Sequence, residues 1–268
     1  MSLQATRFNL SGARRIQALV LLKWLVFVLP PVIAFMRVGA SLVMAVVVVS
    51  SFFAMAAMQA WETSRRRQFI REARFPPFLV TKLRARYPQL SAGDCDLVLR
   101  GLRQFFVAYL RSDRKFVAMP SQVVDMAWHE FILHTRAYAL WCDAAFGKLL
   151  HHTPAEVLGR DPKRNDGLRR SWYWACKEES INPRQPSRLP LLFALDKKFG
   201  IPGGFAYVPD CKHIDQQSGS DAYCGSSFGE DGGSSGDSDG FGGCESSGGD
   251  GGSDSSSGCG GGCGGGGD

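Results

Sequence analysis

Two long apolar stretches lie near the start of the chain. Residues 18–36 are interrupted only by Lys23 and by Pro30-Pro31, and residues 38–60 carry no charge. At 1.5 Å per residue, about 20 residues cross a ~30 Å hydrocarbon core. Both stretches therefore predict helices that can span a bilayer. Lys23 is tolerable near the start of its run if it snorkels to an interface. Pro30-Pro31 predicts a kink. Only Arg37, Val38 and Gly39 separate the runs, which predicts a tight hairpin over 18–60 after a basic segment, 1–17. A cleaved signal peptide has one apolar core of 7–15 residues, and this region is far longer.

From residue 62 the pattern changes to helical periodicity. A short helix begins at Phe78 and stops before Pro88. Ser91 or Asp94 can cap the next, with apolar positions Leu97, Val98, Leu102, Phe105, Phe106, Tyr109 and Leu110. Ser121 can cap a long helix from about Gln122 to Phe146, closed by Gly147. Thr153-Pro154 opens a short helix, and 167–179 and 189–199 predict two more. Phe205 to Val208 reads as one short strand. The fold expected is mainly α: a transmembrane hairpin, a helical domain over 62–213, and a disordered tail over 214–268. No βαβ alternation, GxGxxG or Walker pattern is present, so nucleotide-binding folds gain no support.

Charge changes this picture in two places. Residues 1–213 hold 31 basic and 15 acidic side chains, and the tail holds ten acids and no Lys or Arg. Arg7, Arg14 and Arg15 precede the hairpin, and Arg65, Arg66, Arg67, Arg71 and Arg74 follow it. Basic flanks mark the cytoplasmic side, so the sequence predicts a multi-pass inner-membrane protein with both termini cytoplasmic. The five arginines after the second span are either topology determinants or contacts for anionic lipid head groups, each contributing about 1 kcal/mol. In the tail, 34 of 55 residues are Gly or Ser, too few apolar groups to offset chain entropy. The tail also holds Cys224, Cys244, Cys259 and Cys263, and a solvated acidic segment is the first reading of it. A thiolate pair at Cys259 and Cys263 or modification of the tail are the alternatives.

Candidate chemistry is concentrated in residues 119–154, which hold four of the five histidines. On one helix, Asp125, His129, Ile132, Arg136 and Asp143 share a face, and Asp125 and His129 can interact at i,i+4. His134 points away from His129, so the two cannot share an ion on an unbroken helix. The order His129-Glu130-Phe131-Ile132-Leu133-His134 is one residue too long for HExxH, which excludes that protease signature. Two readings remain. One is structural: a buried Trp128-His129 pair with its imidazole bonded to Asp125 and Cys142 as a small core residue. The other is a divalent metal site of zinc type, using His129, one of His151 and His152, and Asp125 or Cys142.

The set Pro120-Ser121, Val124-Asp125, Trp128-His129, Ile132-Leu133, Thr135, Tyr138, Cys142, Gly147 and His151-His152 resembles the glycine-rich domain-containing protein family, over about 36 residues. The resemblance implies an α-helical domain and a Gly-rich tail. It implies no catalytic residue. Trp172-Tyr173-Trp174 beside Arg169 and Arg170 could stack bases, but no RNA-binding signature accompanies it, and a packed aromatic face is the expectation. The partners predicted are the bilayer, anionic head groups and a protein of unknown identity, with nucleic acid disfavoured. No acid–base pair, activated nucleophile or phosphate loop is identifiable from spacing. The function expected is a membrane-anchored interaction module, with a metal-binding sensor or enzyme as the alternative.

Overall fold

A computed structural model of the chain describes residues 10–39, 41–152, 162–209 and 223–224. The helix expected from Thr153-Pro154 lies outside the described residues, and so does nearly all of the tail. The described part is mainly helical. Helices α1 (Leu10–Val38) and α2 (Leu42–Glu72) form an antiparallel hairpin joined at Gly39. Both are long and apolar enough to cross a membrane. Their large side chains stay uncovered: Leu21 is 74% exposed, Phe53 67% and Leu42 82%. Apolar surface on this scale marks a lipid-facing or partner-facing region. Helix α1 continues through Pro30 and Pro31.

Lys23 is not left to snorkel alone. Its Nζ lies 2.9 Å from Glu62 Oε2, and the other carboxylate oxygen of Glu62 accepts from Arg66 Nε at 2.9 Å. An ion pair therefore ties the start of the first apolar run to the end of the second. It satisfies a charge that would be costly unpaired beside hydrocarbon.

The helical domain is built around α4 (Ala92–Arg111). Ser91 caps it in a capping box with Asp94: the Ser91 Oγ accepts from Asp94 N, and the Asp94 carboxylate accepts from Ser91 N. Hydrogen bonding by Ser91 holds the Asp94 carboxyl below the usual carboxylate range. Against α4 pack α3 (Phe78–Arg86), α5 (Gln122–Leu133), α7 (Pro162–Glu178) and α8 (Leu191–Phe199). Helix α6 (Thr135–Phe146) leans on both hairpin helices. Phe75, Phe106, Phe131 and Trp141 form an aromatic centre with ring centroids 4.6–6.3 Å apart. Trp172 is fully buried and Tyr173 nearly so, while Arg111 covers Trp174 at 4.0 Å. The Trp-Tyr-Trp run is therefore a packed face.

Three expectations are corrected. The helix predicted over Gln122–Phe146 is two helices, broken at His134 (φ −87°, ψ 61°). The break brings Tyr138 onto Trp128, whose Nε1 donates to the Tyr138 hydroxyl at 3.1 Å. The strand is Tyr207–Val208 (β1), and it pairs in parallel with Tyr223–Cys224 (β2). Ordered pairing therefore reaches into the segment predicted to be wholly disordered. Arg66, expected at the lipid surface, is buried. Its Nη1 donates to the carbonyls of Asp143 and Ala144, both at 2.9 Å, at the C-terminus of α6. Gly147 closes that helix at φ 74°, and a Cβ there would stand 3.0 Å from Arg66 Nη2. Arg67 and Arg71 pair with Glu178. Only Arg65 and Arg74 of the five remain exposed without an acidic partner among the described residues.

Candidate metal centre

The site begins with a buried carboxylate on another helix. Asp196 on α8 accepts from the Ser121 hydroxyl at 2.7 Å and from the main-chain N–H groups of Gln122, Val123 and Phe205 at 2.7, 3.1 and 3.0 Å. An anion at the first turn of α5 satisfies donors that the helix cannot satisfy itself. It also fixes where α5 starts, and with it the phase of Asp125 and His129.

His129 lies one turn after Asp125. Its Nδ1 is 3.0 Å from the Asp125 carbonyl and 3.3 Å from Asp125 Oδ2. A carbonyl can only accept, so Nδ1 carries the proton in that contact, and Nε2 of the neutral ring keeps its lone pair. The second histidine comes from the segment after α6. Tyr138 donates to the Leu150 carbonyl at 2.6 Å, which fixes the chain two residues before His152. His152 then stands edge-on to Trp128, with centroids 4.6 Å apart, and its Nε2 is 3.0 Å from Asp125 Oδ1. The two imidazoles are 4.2 Å apart between centroids.

One ligand atom from each of Asp125, His129 and His152 lies within 4.8 Å of the others. Tetrahedral coordination with ~2.0–2.1 Å bonds places ligand atoms roughly 3.3 Å apart. The 3.0 Å between His152 Nε2 and Asp125 Oδ1 is already close to that spacing, and the lone pair left for an ion on His129 is that of Nε2. A carboxylate and two imidazoles suit zinc, and three protein ligands leave a position open. All three residues border one cavity of about 740 Å³, walled by Phe105, Tyr109, Phe116 and Phe205 and carrying Arg114 and Lys148.

Three of the five ligand residues read from the sequence thus converge. His151 borders the same cavity but is outside the three-residue group. Cys142 is fully buried and packs toward the Tyr138–Leu150 contact. Burial pushes its thiol up to about 11, with the Leu150 main chain pulling the other way. It packs as a core residue, outside the three-residue group. His134, at the helix break, lies against the Phe78 ring at 3.7 Å. Sequence reasoning missed Asp196, Tyr138, Arg114 and Lys148 at the site, and Glu62 in the hairpin. For Glu62 a signal existed: a single acid closing an apolar run, one turn before Arg66.

A protein-family model described as UCP032817-like matches residues 65–228. The chain belongs to the UCP032817-like family. The UCP032817-like region contains every residue of the Asp125 group, the Asp196 anchor and both short strands, and it leaves out the apolar runs of the hairpin. No curated protein and no solved structure matches this UCP032817-like chain.

Proposed function

We propose that this chain is a membrane-anchored metal-binding protein. In this reading α1 and α2 span an inner membrane as a hairpin with both ends cytoplasmic, and the helical domain holds a divalent ion of zinc type at Asp125, His129 and His152. The observation that carries the reading is the convergence of those three side chains on a cavity wall, from two separate segments each fixed by a buried hydrogen-bond network. A histidine with a merely structural role needs no second histidine across the same carboxylate. The centre would let the domain take up a small ligand at the open coordination position. A metal-free interaction module, docking through the exposed surface of the domain, is the reading this one displaces.

The test is elemental analysis of the full-length protein, purified in detergent and dialysed against zinc. One bound ion per chain is expected in the wild type. In His129→Ala and in His152→Ala, occupancy should fall at least tenfold, because each variant removes one of three protein ligands. Cys142→Ala should keep the ion. Metal-free wild type, or full occupancy in both histidine variants, would sink the reading.

A further inference from the structure

Apart from its Asp125 wall, the cavity has a consistent chemical character. Its Phe105, Tyr109, Phe116 and Phe205 walls are apolar or aromatic, and its charged groups away from Asp125 are the cations Lys148 and Arg114. Arg114 is held in place from two sides. Its Nε donates to the Phe146 carbonyl at 2.7 Å, and its backbone, like that of Asp113, is left-handed at φ 61°. A non-glycine residue in that conformation persists only where its surroundings enforce it. Lys148 is exposed and has no ion pair among the described residues. A volume of about 740 Å³ lies within the ~300–1,000 Å³ range of small-molecule sites.

Position adds a second observation. Lys148 follows Gly147, which lies against the Arg66 guanidinium of α2. Arg66 is six residues past residue 60, where the uncharged run ends, so the guanidinium-bearing residue against which Gly147 sits is about 9 Å along the helix axis from the end of that run, and Lys148 of the cavity follows Gly147 directly. Leu149, next along, is 42% exposed.

We propose that the cavity binds a long-chain carboxylate drawn from the adjoining bilayer. The acyl chain lies along Phe105, Tyr109, Phe116 and Phe205. The carboxylate meets Lys148 and Arg114 and, on the metal reading above, the open position of the ion. A bare cation pair would accept any anion, whereas the aromatic walls select one with an apolar body. No bond is made or broken in this binding.

Photolabelling tests this on the full chain in nanodiscs of zwitterionic lipid. The probe is palmitate carrying a diazirine near its chain end, and labelled peptides are mapped by mass spectrometry. Label is expected on the 105–129 and 148–152 regions. Lys148→Glu should reduce it there about tenfold, the scale of losing one charge-assisted contact. Label on α1 and α2 should not change, which controls for partitioning. Labelling of α1 and α2 only, or equal cavity labelling by the matching long-chain alcohol, would overturn the proposal. Metal content is read on the same samples. A metal-bearing protein that fails to label keeps the metal reading and loses this one; a labelled but metal-free protein does the reverse.

Discussion

At the scale of single residues, Asp196 does more to place the site than either histidine. Its carboxylate is 2% exposed and accepts four hydrogen bonds, three of them around the first turn of α5. Asp196→Asn keeps the shape but aims amide hydrogens at N–H donors. Expected is a loss of about 2–4 kcal/mol, since buried donors lose a charged acceptor, measured by urea denaturation of the full chain in detergent. Cys142 carries a different prediction. Burial raises its pKa from 9.0 to about 11, and raises that of Cys176 to about 12. The unfolded chain therefore releases these protons first as pH rises. Their contribution to stability is complete below about pH 9 and is lost progressively toward pH 11 and 12. Denaturation midpoints should fall from pH 8 to 10.5, and less steeply in Cys142→Ala. An unchanged slope would show that the thiol titrates freely in the fold. At pH 8 both thiols should resist a disulfide reagent until the domain is unfolded.

At the scale of elements, capping was legible and the helix break was not. Ser91, Ser121 and Gly147 stand where local rules place them, because a cap depends on side chains within one turn. His134 interrupts a stretch with neither Pro nor Gly, in a sequence that favours one helix. The break is imposed by distant partners: Phe78 against His134, and Trp128 and Leu150 joined through Tyr138. The same fact decides the site. Asp125 and His129 could be paired from their spacing, because i,i+4 geometry is local. The approach of His152 rather than His151 to Asp125, and the placing of Cys142 in the core, depended on how the chain returns after α6, which no periodicity encodes. Tyr138 is the hinge of that return, and burial holds its phenol above the usual range. Tyr138→Phe leaves Trp128 Nε1 and the Leu150 carbonyl without their partner. It should cost about 1–3 kcal/mol, read from thermal melts. It should also weaken zinc binding in a competition titration, because the anchor of His152 is gone. Destabilisation with unaltered zinc affinity would mean that the 150–152 segment is held by other contacts.

At the scale of the whole molecule, the hairpin and the domain are joined by charge as well as by a shared helix. Glu62 bridges Lys23 and Arg66, and Arg66 in turn holds the C-terminus of α6. Gln17 of α1 also donates to Asp143 at 3.0 Å. The proposed bilayer boundary therefore falls near Lys23 and Glu62, with the domain held close beneath it. Here the apolar runs were legible as helices long enough to cross a membrane, but the partners of the arginines after them were not. Composition shows that they are basic, but not that Arg66 is buried or that Arg67 and Arg71 share the Glu178 carboxylate. In the proposed orientation, Arg65 and Arg74, exposed and without an acidic partner among the described residues, are the arginines of this cluster left to act with the N-terminal ones. The consequence is measurable with paired reporters. A fluorescent protein fused after Asp268 should fluoresce, and alkaline phosphatase inserted after Gly39 should be active, because Arg37 alone marks the far side. Substituting Arg66 should leave that topology unchanged while loosening α6, whereas reversing Arg65 and Arg74 to Glu should lower the fluorescent signal. Active phosphatase after Asp268 would reverse the hairpin. Release of the chain from vesicles by carbonate would remove it from the membrane altogether.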